Sequence, residues 1–118
     1  EPTSNVDPIG KEEIFAVADQ LNRERGMTVI MAENEVEVMA AYADRIIVLD
    51  KGEIVLNGTP QEVFSQVDLL KEIGLRVPQI TEFAYQMDRA GLADHQSAFP
   101  VTLDEGIHDL ALTFGKGG

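Results

Sequence analysis

The chain has 118 residues, with 9 basic against 21 acidic side chains and a net charge of −12. It therefore fits one small domain or part of a larger one, and lacks the clustered Lys and Arg that a nucleic-acid surface demands. Its 44% hydrophobic content suffices for a core, and the absence of cysteine excludes disulfides, thiolate metal sites and cysteine nucleophiles.

No apolar run approaches the roughly 20 residues that span a bilayer, and no signal-peptide pattern opens the sequence, so a membrane role requires a partner. The first eight residues, Glu1, Pro2, Thr3, Ser4, Asn5, Val6, Asp7 and Pro8, read as a polar turn that leads into a helix. Asp7 can accept from the free N–H groups of a first turn, and Pro8 suits the first helical position. Over residues 11–25, Ile14, Val17, Ala18 and Leu21 repeat at helical spacing and predict an inward stripe, with Gly26 as the stop. Residues 27–32 form a short apolar run rich in β-branched side chains, which predicts a buried parallel strand and half of a βαβ crossover.

A helix with Val36, Met39, Ala40 and Ala43 inward follows, with Asn34 and Glu37 at the spacing of a capping box. Residues 45–49 and 53–56 predict an antiparallel hairpin closed by Asp50, Lys51 and Gly52, after which Asn57 and Gly58 turn the chain. Thr59, Pro60, Gln61 and Glu62 form a second capping box, opening a short helix that carries Val63, Phe64 and Val67. Beyond Asp68 the pattern is helical only. Leu69, Leu70 and Ile73 make a short turn ended by Gly74, and Pro78 starts a helix with Ile80, Phe83, Ala84 and Met87 inward and Gly91 as its end. Residues 93–100 read as a polar connector. Thr102, Leu103, Asp104 and Glu105 form a third capping box before a helix with Leu103, Ile107, Leu110 and Ala111 inward.

Few side chains assemble into chemistry by spacing alone. Glu33, Glu35 and Glu37 alternate around a strand end and do not converge as metal ligands must, so they read as a solvated acidic helix start. His95 and His108 stand apart from any second ligand or nucleophile and read as surface residues.

Motifs add more. The run from Glu1 to Pro8 resembles the end of the Walker B strand and the D-loop of ABC-type ATPases, usually "D-E-P-T-S-x-L-D-P". Met31, Ala32, Glu33 and Asn34 stand where importers of that family often have "V-E-H" or "A-E-H", and Asp44, Arg45, Gly52, Gly58 and residues 59–62 fall in register with later motifs. The stretches after Gly74 look like the helical extension of energy-coupling-factor ATPases, the cobalt, nickel and vitamin importer type. The resemblance implies an α/β fold. Residues 1–74 would be the C-terminal part of a P-loop ABC ATPase core, and residues 75–118 a small all-helical extension.

By the same resemblance, Glu1 places the attacking water and position 34 is the switch that senses the γ-phosphate. Ser4, Asn5, Val6 and Asp7 belong to a D-loop at the dimer interface. ATP and Mg2+ are the implied cofactors of the intact protein, and the implied partners are a second ATPase subunit and transmembrane transporter subunits. The implied location is cytoplasmic, peripheral on the inner face of the membrane. Two departures narrow this. The P-loop, Q-loop, signature motif and Walker B aspartate are absent from these residues, so the expectation is a fragment of a longer ATPase that binds no nucleotide, lacks hydrolysis and self-associates through an exposed sheet edge. Asparagine replaces the switch histidine at position 34, and it can hydrogen-bond but cannot titrate. The alternatives are a non-catalytic regulatory or dimerisation module derived from an ABC ATPase, and a soluble ABC ATPase outside transport.

Overall fold

A computed structural model of the chain describes residues 8–96 and 98–114. Glu1, Ser4, Asn5, Val6 and Asp7 lie outside these, as does the glycine-rich tail. Helix α1 (Pro8–Arg25) ends where Gly26 takes φ +67° and donates its N–H to the Asn22 carbonyl at 3.0 Å. Its buried residue is Phe15 rather than the expected Val17, which is 56% exposed. The ring of Phe15 lies 6.3 Å from that of Tyr42 in α2 (Val36–Tyr42), and it joins the expected Ile14, Ala18 and Leu21, which are half-buried, on the inward side.

Residues 27–32 are not a buried strand. They are irregular, with Met27 and Val29 exposed and Ile30 91% exposed. A strand needs a neighbour to take its N–H and C=O groups. Among the described residues the only sheet is β1 with β2, and neither pairs with this run, so the crossover does not form.

Strands β1 (Ile46–Asp50) and β2 (Glu53–Gly58) make the expected antiparallel hairpin, closed by Lys51 at φ +53° and Gly52 at φ +80°. Positive φ at both loop residues matches the right-handed twist of the strands. Asn57 and Gly58 do not turn the chain; they continue β2, paired with Ile47 and Ile46. Along β1, Ile46 and Val48 point inward while Ile47 and Leu49 are exposed, the period-two pattern of a sheet covered on one face.

The inward face receives α3 (Pro60–Phe64) and α4 (Val67–Glu72). Thr59 forms the expected capping box, its hydroxyl accepting from the Glu62 N–H and its own N–H donating to Glu62. This start points Val63 and Phe64 into one cluster with Ala40, Ile46, Val48, Val67 and Leu70, which Val77, Ala84, Phe99 and Val101 complete. Full burial of each such Val or Leu is worth about 1.5–3 kcal/mol. Gly74 closes α4 at φ +86°, with the Leu75 N–H on the Leu70 carbonyl at 2.8 Å.

Helix α5 (Gln79–Arg89) follows Pro78 and buries Thr81 and Ala84, while Phe83 is half exposed. The sequence pattern passes over Thr81 because threonine is polar, but its hydroxyl donates to the Pro100 carbonyl at 2.6 Å and so tolerates complete burial. That bond draws in residues 99–101, so the end of the polar connector, Phe99 and Pro100, is core, while Ala98 stays exposed.

In α6 (Leu103–Phe114) the inward residues also differ. Leu103 is 70% and Ile107 58% exposed, Ala111 is exposed, and Leu110 is half buried. Gly106 is buried on Ile80 of α5 in their place. Two carboxylates on the same helix also find inward donors. Glu105 accepts from the Val101 N–H at 3.1 Å, while the Thr102 hydroxyl accepts from the Glu105 N–H at 3.3 Å, so the third capping box is closed one residue early. Asp109 meets His95. These polar contacts fix the helix rotation against its apolar pattern.

Candidate functional site

Of the residues assigned a role by resemblance, Asn34 is described, and it lines a cleft of about 380 Å³. The cleft runs along β1, between the start of α2 and the α4–α5 link. Its walls are mostly apolar, including Ile46, Val48, Phe64 and Leu70, with Glu33, Asn34 and Arg76 as the polar and charged members.

The backbone at Asn34 is held by its neighbour. The Glu33 carboxylate accepts from the Asn34 N–H at 2.8 Å and the Glu35 N–H at 3.2 Å, with Lys11 Nζ at 3.7 Å. The Glu33 side chain is 1% exposed, and its second oxygen is buried without a hydrogen-bond partner. The predicted Asn34–Glu37 capping box is therefore absent. Residue 35 occupies the N-cap of α2 without a side-chain bond, and Glu33 satisfies the orphan donors before it. Asn34 is left at the surface. Glu37 reaches across to the first N–H of α5, accepting from Gln79 at 3.1 Å, where a carboxylate complements the positive helix end. The acidic run thus serves separate backbone donors.

The chemistry this arrangement offers is limited. Asn34 presents an amide that can donate or accept, and Arg76 is the one cation among the cleft residues. Neither is paired with a nucleophile. The described residues contain no group of three or more His, Asp or Glu placed to hold a metal ion.

Sequence reasoning missed His95. Far from a surface residue, its side chain is 8% exposed, with Nδ1 on Asp88 of α5 and Nε2 2.7 Å from Asp109 of α6. Its ring packs on Phe99, centroids 5.4 Å apart. Burial alone would lower its pKa, but the hydrogen bonds and charges of Asp109 and Asp88 outweigh burial and raise it above the ordinary histidine value. The signal lay in spacing: Asp88 and Asp109 flank residue 95 on two helices that the loop folds together. His108 is exposed, as expected.

No protein-family model matches the chain. Among curated proteins, the energy-coupling factor transporter ATP-binding protein EcfA1 of Caldanaerobacter subterraneus subsp. tengcongensis is 49% identical over 92 residues, 78% of this chain and 33% of that protein. EcfA1 of Clostridium novyi is 44% identical over 110 residues, 93% of this chain and 38% of its own length. The EcfA2 protein of Clostridium perfringens strain 13 is 42% identical over 102 residues, 86% of this chain and 36% of its own. The chain thus matches 33–38% of the length of these relatives. Its helices and small antiparallel sheet are compatible with part of an α/β ATPase, and no described helix is long and apolar enough to cross a membrane. Over the length it shares with them, this chain belongs to the family of ABC transporter ATP-binding proteins, with energy-coupling-factor subunits among its relatives.

Proposed function

We propose that the chain is the C-terminal part of the ATP-hydrolysing subunit of an energy-coupling-factor importer. Residues 1–74 come from the P-loop ATPase core and residues 75–118 form its helical extension. The observation that carries this reading is the 42–49% identity to ATP-binding subunits over most of the chain. In the intact protein Glu1 would place the attacking water, residues 4–7 would lie at a dimer interface, and Asn34 would stand at the position that senses the γ-phosphate. Its surface position on a backbone pinned by Glu33 supports that role. The intact subunit would work with a second ATPase subunit and transmembrane subunits, at the inner face of a membrane.

The described residues do not fit Mg-ATP by themselves. Their one cleft near Asn34 is walled by apolar side chains, with a single cation and a buried carboxylate already engaged by two backbone donors. The chain alone would then lack ATPase activity.

Two substitutions in the full-length protein test the assignment. Glu1→Gln should lower hydrolysis about 10²–10⁴-fold, the usual contribution of a general base, with ATP still bound. Asn34→His should raise turnover. Unchanged hydrolysis in the first removes the role of Glu1, and an unchanged rate in the second removes the sensor reading of position 34.

A further inference from the structure

We infer that His95 is a protonation-dependent latch, which fastens α6 to α5 as an imidazolium and releases it when the ring loses its proton. Both ring nitrogens face carboxylates. Nδ1 meets Asp88, whose other oxygen accepts the His95 backbone N–H at 2.9 Å, and Nε2 meets Asp109 at 2.7 Å. Only the imidazolium has two N–H donors. The neutral ring keeps one, and its remaining lone pair must then face a carboxylate oxygen at hydrogen-bond distance. The backbone bond holds the ring side of Asp88 in place, so the weak contact on deprotonation is the one to Asp109.

The surroundings leave this pair little substitute. From α5, Arg89 donates to the Tyr85 hydroxyl at 3.0 Å and Tyr85 in turn meets Asp68 of α4, so that chain of groups is satisfied apart from His95. From the loop, Asp94 accepts the Gln96 N–H at 3.0 Å. From α6, Glu105 accepts from Val101 and from Gln61, and His108 is exposed. With Leu103 and Ile107 facing solvent, the apolar hold on α6 is limited to the face of Gly106 and the half-buried Leu110, which gives the charged contact at Asp109 weight in docking. The raised His95 pKa agrees with this. A group whose pKa is raised on folding adds stability that is full below its unfolded value, about 6.5, and is lost as pH climbs through the folded value.

The test follows the His95 imidazole by NMR in the full chain, together with amide exchange of residues 103–112 corrected for intrinsic rates, between about pH 6 and pH 9. The latch requires His95 to titrate above about 6.5 and α6 protection to fall roughly tenfold or more through that titration, while α3 and α4 keep theirs. His95→Phe should leave α6 exchanging fast at every pH. Asp109→Asn should lower the His95 titration and remove most of the pH dependence. Titration at or below the ordinary value, pH-independent α6 protection, or wild-type protection in His95→Phe overturns the proposal. Should His95→Phe lose α3 and α4 protection as well, Asp109→Asn decides: a wild-type pH dependence there overturns it, and a flattened one sustains it.

Discussion

A Cβ placed on Gly106 would come within 2.5 Å of the Ile80 Cδ1 and closer still to its Cγ1, so α6 lies on α5 at a distance that a side chain at 106 could keep only if Ile80 moved. Glycine inside a helix costs about 1 kcal/mol relative to alanine, and here the close approach explains its use. Gly106→Ala gains helix propensity but overpacks the interface, a change that costs about 1–3 kcal/mol in well-packed sites. The expected outcome is net destabilisation in urea unfolding. Ile80→Ala in the same chain should recover part of the loss, because the two changes share one contact and are not additive.

Thr81 ties the middle of α5 to residues 99–101 by a single donated hydrogen bond, from a side chain with no exposure. Thr81→Val keeps the shape and removes the donor, leaving the Pro100 carbonyl without it. The cost should be about 1–3 kcal/mol, the range for orphaning a buried polar group, read as a lower urea midpoint at unchanged slope. Thr81→Ser keeps the hydroxyl and should lose less.

The capping box at Thr59 carries a separate expectation. Thr59→Ala removes the acceptor for the Glu62 N–H and should cost about 1 kcal/mol. The Glu62 carboxyl is held below its ordinary pKa, first by the Thr59 backbone N–H and then by the Thr59 side chain, with a smaller contribution from the charge of Arg45. A pKa lowered on folding gives stability that is present above the unfolded carboxyl value and lost as pH falls through the folded one. Melting temperature should therefore decline on acidification below about pH 5, and less steeply in Glu62→Gln. Exposure of this group makes the difference small and reduced by salt. Identical slopes in the two proteins would show that the carboxylate has no weight.

Legibility in the sequence followed how local the cause was. The hairpin at Lys51 and Gly52, the Thr59 cap and the helix stops at Gly26 and Gly74 are set by residues a few positions apart, and each stands where the pattern predicts. What failed depended on partners distant in sequence. Residues 27–32 have strand composition but no neighbouring strand among the described residues. The inward face of α6 follows Gly106, Glu105 and Asp109, none of them apolar, because their partners Ile80, Val101 and His95 come from α5 and the loop. At the candidate site, periodicity alone gives no reason to single out Asn34, and the motif does. Neither announced that Glu33 would be buried and that Glu37 would cap α5.

The outer face of the hairpin bears on the proposed self-association. Leu49 and Ile54 are cross-strand partners, and both are exposed, with Ile47 also exposed on β1. Leu49 is 65% exposed, and the run with Ile30 has no strand partner among the described residues. Apolar patches and unpaired edges of this kind promote association between chains. At high concentration the chain should therefore sediment above its 12.9 kDa monomer mass. Replacing Ile47 and Leu49 together by Lys should shift it to monomer, since charges on an edge strand oppose pairing, while the buried partners Ile46 and Val48 keep the hairpin on the core. A wild-type chain that stays monomeric across the concentration range, or a double variant that associates as strongly as the wild type, would remove this face from the account of how the chain assembles.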